Sequence, residues 1–145
     1  IQETPTPLPT YTPSPVPTTT PTPTMTPCCD GFGAELGMPA HMFNAGDDCG
    51  CWVTLRNPTS NIMEDVMLYV VLDAFGTLFC APSFGESDCY VMDLAPGEAR
   101  MDILPTFPWP AGVGSASGLR WYSGMLDSNF TLLTDIDMWE FGYAE

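Results

Sequence analysis

The sequence predicts an all-β fold, an immunoglobulin-like antiparallel β-sandwich of seven or eight short strands preceded by an extended, polyproline II-like tail, and three observations carry that prediction. Residues 28–145 show alternating or continuous apolar runs separated by Gly, Pro and Asn turn signals. Helical periodicity is convincing nowhere, although residues 128–134 have room for one turn. Residues 1–27 hold nine of the 16 prolines, ten threonines and one serine, with too few apolar side chains to form a core. The chain therefore divides into a linker, 1–27, and a disulfide-stapled sandwich, 28–145.

Alternation is clearest in CGCWVTLRN, where Cys49, Cys51, Val53 and Leu55 face one way and Gly50, Trp52, Thr54 and Arg56 the other, up to the turn signal NPTSN. The run VMLYVVLD, residues 66–73, is nearly continuous in apolar side chains and reads as a central strand. AFG turns it into TLFCAP, which makes a hairpin. CYVMDL, the loop APGE and ARMDILP, in which Met101 and Ile103 share a face, read as a further strand, turn and strand. SGLRWYSGML and DMWEFGY supply the last two strands, with Trp139, Phe141 and Tyr143 inward.

In the tail, each proline fixes φ and drives its predecessor into extended space, so alternating Pro and Thr predict a stiff polyproline II spacer. At about 3.1 Å per residue it reaches roughly 80 Å, against a globule about 35 Å across. Its hydroxyls point to all sides, which suits O-linked sugars on Thr4, Thr6, Thr10, Thr12, Ser14, Thr18, Thr19, Thr20, Thr22, Thr24 and Thr26. Because Pro5, Pro7 and Pro9 lie two apart, their missing donors share one edge, so residues 4–10 could pair with an exposed sheet edge only on the other.

Eighteen acids against Arg56, Arg100 and Arg120, with no lysine, give a net charge of −15. Nucleic acid and anionic membranes are excluded as partners, since both need cations to bind them. No run of eighteen apolar residues is present, so no membrane span is expected. The chain starts at Ile1 without a signal-like segment, which suggests a processed chain or a piece of a longer one. Six cysteines, Cys28, Cys29, Cys49, Cys51, Cys80 and Cys89, read as a disulfide framework and hence an exported protein. The expected pairs are Cys80 with Cys89, and Cys28 and Cys29 with Cys49 and Cys51, among the fifteen pairings six cysteines allow. A zinc site is disfavoured by the absence of C-x2-C spacing and by the single histidine, His41.

Catalytic chemistry finds little footing. Every triad role would converge on His41, in a loop-like setting, and lysine chemistry is impossible. Weak calcium candidates are Asp47 with Asp48, and Asp135, Asp137 and Glu140, but the glycine and third acid of an EF-hand loop are missing. The sequon Asn129-Phe130-Thr131 permits N-glycosylation, whereas the proline blocks Asn57-Pro58-Thr59. No cofactor is expected. The most specific local feature is aromatic: Phe107, Trp109, Trp121 and Tyr122 in TFPWP and RWYSG could form a groove for a polyproline II segment, or could simply pack the core. With such a groove the chain would carry both plug and socket, and a heterologous contact of that kind propagates into a filament.

The segments MFNAGDDCGCWVTLRNPTS, LYVVLDAFGTLFCAPSFG, LAPGE and ILPTFPWPAG together resemble the sandwich modules of large secreted bacterial surface proteins, in which Pro/Thr-rich tracts separate globular repeats. They are also similar to the subunits of glycosylated extracellular filaments of environmental bacteria. The resemblance covers most of the chain through generic elements: a GD-type strand start, an NPT turn and a PG loop. It implies a structural role at the cell surface, glycosylated tracts and no catalytic residue. One departure is the proline-rich leader, where strand-donating filament subunits carry an alternating apolar extension. The expectation is a non-enzymatic filament subunit whose partners are covalent glycans and further copies of itself, joined head to tail. The alternative is an accessory carbohydrate-binding or stalk module of a secreted multidomain enzyme or adhesin.

Overall fold

The structure is a computed structural model that describes residues 31–145. The tail, its threonine and serine glycan sites, and Cys28 and Cys29 lie outside the described residues. The strands are β1 (Gly33–Gly37), β2 (Met42–Phe43), β3 (Asp48–Asn57), β4 (Met63–Ala74), β5 (Thr77–Cys80), β6 (Tyr90–Leu94), β7 (Gly97–Pro108), β8 (Ala116–Leu126) and β9 (Asp137–Tyr143). A small sheet runs β1-β3-β7. A large sheet runs β2-β9-β8-β4-β5, with β6 also on β4. Strands β1, β3 and β7 thus fill the A, B and E positions of an immunoglobulin-like sandwich, and β4, β8 and β9 fill C, F and G.

The core between the sheets follows from period-two alternation. Cys49, Cys51, Val53 and Leu55 of β3 are buried, as expected from the sequence, and they join Val66, Leu68 and Val70 of β4 and Leu119, Trp121 and Met125 of β8 in one cluster. The expected hairpin forms between β4 and β5. Phe75 and Gly76 turn it with φ of 57° and 92°, the left-handed pair that matches strand twist, and Asp73 accepts the Gly76 N–H at 2.8 Å.

Three expectations change. Nine strands form, because β1 and the two-residue β2, which pair with β3 and β9, add to the seven segments read from the sequence. The APGE turn does not close a hairpin: β6 stays on β4 while β7 crosses to pair with β3 in the other sheet. Local alternation says which side chains share a face, not which sheet receives the strand. Residues 128–134 form no helical turn; Asp127 instead accepts the N–H groups of Asn129 and Thr131 at 2.8 and 2.9 Å and folds the segment into a tight loop.

Polar groups join the layers. The Ser123 hydroxyl of β8 donates to the Ala34 carbonyl at 2.6 Å, and Asp137 of β9 accepts the Leu36 N–H at 2.8 Å. β1 is an edge strand, so these side chains from the large sheet satisfy backbone groups that would otherwise face no partner. Asn57, fully buried, donates to the carbonyls of Asn61 and Leu94 and accepts from the backbone and hydroxyl of Thr59. All four of its bonds are made, which fixes the NPTSN turn to the end of β6.

Candidate functional site

Strand β4 supplies the feature that organises the surface. Its continuous apolar run puts Val66, Leu68 and Val70 into the core and therefore Met67, Tyr69 and Val71 on the opposite face. The register extends that face sideways into rows. Met67 stands between Val91 of β6 and Leu126 of β8, and Val71 between Cys80 of β5 and Tyr122 of β8, with Met138 of β9 beyond. In the middle row Tyr69 faces Gly124, where a β-carbon would meet the Ile136 side chain, so Ile136 lies over this glycine. Val91 is 63%, Ile136 58% and Met138 48% exposed. Ile136 covers the middle of this face at Gly124, and Met67, Tyr69, Val71, Tyr122 and Leu126 are half-buried, so the exposed apolar side chains of the face are Val91, Ile136 and Met138. A row of charge, Asp73, Arg120 and Glu140, ends it, with Arg120 and Glu140 paired at 3.2 Å. Hydrogen bonds to Glu140 and Tyr122, with the Glu140 charge, hold the Arg120 guanidinium still more firmly protonated than usual.

The outer face of the small sheet is finished differently. Trp52 lies across Gly37 and carries the Arg100 guanidinium at 3.9 Å from its ring centre. Arg56 lies across Gly33 and reaches Glu35 and Glu98. Arg100 also pairs with Asp102 at 3.4 Å.

Phe107, Trp109, Trp121 and Tyr122, open to reading as a groove or as core packing, do not come together as one group. Trp121 is a core residue, 1% exposed, with the Phe84 ring edge-on at 6.3 Å, while its chain neighbour Tyr122 projects to the outer face. Adjacent residues of a strand point oppositely, so the two cannot line one groove. Phe107 and Trp109 belong to an aromatic cluster with Phe43 and Tyr143, in which Trp109 and Tyr143 are centred 4.8 Å apart. Trp121 also helps line an apolar cavity of about 310 Å³ with Leu72, Phe79, Phe84 and Leu104. His41 stacks on Trp139 at 4.0 Å. Trp139 and Tyr143 are half-buried, and Phe141 is inward as expected.

The cysteines form two different pairs, and all four described ones are thiols, so the expected framework is not seen among the described residues. Cys49 and Cys51 sit on the inward side of β3. Burial pushes the Cys51 thiol up to about 12, with repulsion from Cys49 adding to it, and raises Cys49 as well. Cys80 and Cys89 flank the 81–88 loop at the outer edge of β4. A hydrogen bond with Cys89, and then the charges of Cys89 and Cys80, raise the Tyr69 phenol. Ser83 holds the Asp88 carboxyl below its ordinary range by hydrogen bonds and so closes the loop.

The weak calcium candidates do not converge. Asp137 accepts from β1, Glu140 pairs with Arg120, and Asp47 accepts from Asn44; Asp135 and Asp48 are exposed. Among the described residues no three His, Cys, Asp or Glu side chains group as metal ligands. Asn129 is exposed in the 127–131 loop, whereas Asn57 is buried. No described helix is long and apolar enough to cross a membrane.

Sequence reasoning missed the outer face of the large sheet, and the signal was present: a run apolar at every position, rather than at every second one, marks a strand covered on both sides. It also missed Ser123, and it read Asp137 as a weak calcium ligand where the side chain accepts from β1, because no local pattern marks a polar residue that will meet the other sheet.

No protein-family model matches the chain, and no curated protein matches it in sequence. Among solved structures it is similar to a CARDB domain from Pyrococcus furiosus, crystallised in complex with di-metal ions, at 16% identity and a TM-score of 0.49 over 78% of this chain and 87% of that one. It is also similar to the sporulation control protein Spo0M of Bacillus subtilis, at 9% identity and a TM-score of 0.41, covering 79% of this chain and 50% of that one. A β-glucosidase from Listeria innocua in complex with glucose matches at 17% identity and a TM-score of 0.34, where 79% of this chain corresponds to 17% of that one.

Proposed function

We propose that this chain is a non-enzymatic structural subunit of an extracellular, glycosylated bacterial filament, in which the proline-rich leader of one copy bridges to the sandwich of the next. The observation that carries the reading is the contrast within the chain: a 27-residue leader with Glu3 as its only charge is joined to a sandwich that holds the other 17 of the 18 acids. Like-charged globules repel one another, and an uncharged spacer is the part of the chain that can lie against a neighbour without that cost.

Two further observations support it. All four tryptophans have ring contacts of their own, Trp52 with Arg100, Trp109 with Tyr143, Trp121 with Phe84 and Trp139 with His41, and none is in the exposed class. That disfavours the carbohydrate-binding alternative, which needs open rings. Cys80 at the end of β5 and Cys89 just before β6, at the two ends of the 81–88 loop, are the pair that export to an oxidising compartment would join. Exchange with the disulfide of a small monothiol would transfer the disulfide bond to them and release two small thiols.

Negative-stain microscopy of purified full-length material tests the reading. Regular fibres are expected, together with heterogeneous extra mass that chemical deglycosylation removes; monodisperse particles without carbohydrate would overturn it.

A further inference from the structure

We propose that the outer face of the large sheet, centred on Tyr69, Val71, Tyr122 and Met138, is the socket for the leader, residues 1–27, of a second copy. This rests on the filament reading and names its contact surface.

The first ground is β4 itself. A strand apolar on both faces belongs in a sheet covered on both faces. Here the inner face is covered by the small sheet, while the outer face keeps Val91, Ile136 and Met138 about half exposed or more. Contiguous apolar surface of this kind marks an interaction site.

Area and charge select the occupant. Four strands about 4.8 Å apart and three rows about 6.8 Å apart make a face on the order of 300 Å². A stable contact between two globules needs about 800 Å² from each. The rim adds an obstacle to such a contact, because Asp93 is the next outward position after Val91, Asp127 follows Leu126 and Asp135 precedes Ile136. A second sandwich would bring its own acids against these. The leader carries one acid in 27 residues. As a polyproline II segment it would cross a 15–20 Å face with about six residues, and its prolines would bury ring surface on the Tyr and Met side chains. Such a segment leaves its carbonyls without internal hydrogen bonds, and the Tyr122 hydroxyl stands on the face as a donor for one of them. Reach is sufficient, since roughly 80 Å of leader passes more than two sandwich widths.

Sedimentation of the full-length protein over a wide concentration range is the test, with Tyr122→Ser/Met138→Ser beside wild type, Phe75→Ser as the exposed control away from the face, and a synthetic peptide of residues 1–27 as competitor. Wild type and Phe75→Ser should associate alike, the double variant roughly ten-fold more weakly, and the peptide should disperse the wild-type assemblies. If thermal melting shows the double variant unfolded, Val91→Ser on the same face replaces it. Equal association of wild type and face variants puts the contact elsewhere and sinks the socket while leaving the filament reading intact. A monomer at every concentration overturns both.

Discussion

The two sheets finish their outer surfaces in opposite ways. On the small sheet, Trp52 and Arg56 fold down over glycines of β1, and Arg100, Glu35, Glu98 and Asp102 complete a surface of rings and paired charges. On the large sheet, Met67, Tyr69, Val71, Tyr122 and Leu126 stand half-buried in rows, with Ile136 over Gly124 and no ring or paired charge laid across them. Two of the three arginines serve the small sheet, and the third sits at the boundary of the large one. In a chain this acidic the distribution teaches that the few cations go mainly to one face, while the other is left half-buried and apolar.

The inner face, common to both sheets, sets the largest effect. Trp121→Ala should cost about 3–5 kcal/mol, read from the shift of the urea midpoint, because its whole ring is buried against both layers. A cost below about 1 kcal/mol would show that the sheets do not pack on this ring. Asn57→Ala should cost about 2–3 kcal/mol by the same measurement, since the carbonyls of Asn61 and Leu94 lose their donor.

Alkaline titration separates inside from outside by another route. Cys49 and Cys51 ionise less readily folded than unfolded, so their contribution is intact below the unfolded value of 9.0 and is lost as pH rises from there toward about 12. Stability should fall over that window, and Cys51→Val should flatten the fall; an unchanged slope would contradict an inward Cys51. With all cysteines reduced, half-exposed Cys89, at the outer edge, should be alkylated well before Cys51 in the folded protein, as peptide mapping would report.

The sharpest contrast has the smallest stability effects. Trp52→Ala should cost about 1 kcal/mol, because it uncovers β1 and releases Arg100. Tyr122→Ser should cost about 0.5 kcal/mol for the monomer, since the half-buried ring loses only part of its packing. If Tyr122→Ser proves the costlier of the two in thermal melts, the large-sheet face is already covered within one copy and the comparison fails.

Much of this was legible in the chain. The period-two alternation of CGCWVTLRN placed Cys49, Cys51, Val53 and Leu55 in the core, and AFG marked the β4–β5 turn, because side-chain direction and turn chemistry are local properties. The destination of β7 and the placing of both β5 and β6 on one edge of β4 were not, since which strand becomes a neighbour depends on contacts far along the chain. The site divided likewise: VMLYVVL announced a strand wanting cover on both sides, but TFPWP and RWYSG could not say that Trp121 would turn inward and Tyr122 outward.

By itself, then, the sequence determined an all-β sandwich with alternating faces and a high negative charge, because composition and periodicity act residue by residue. Only the tertiary structure decided that Ser123 and Asp137 join the sheets and that one apolar face is covered while the other is left half-buried. Burial is a property of what lies opposite, and a strand carries no record of its opposite number until the sheets have met.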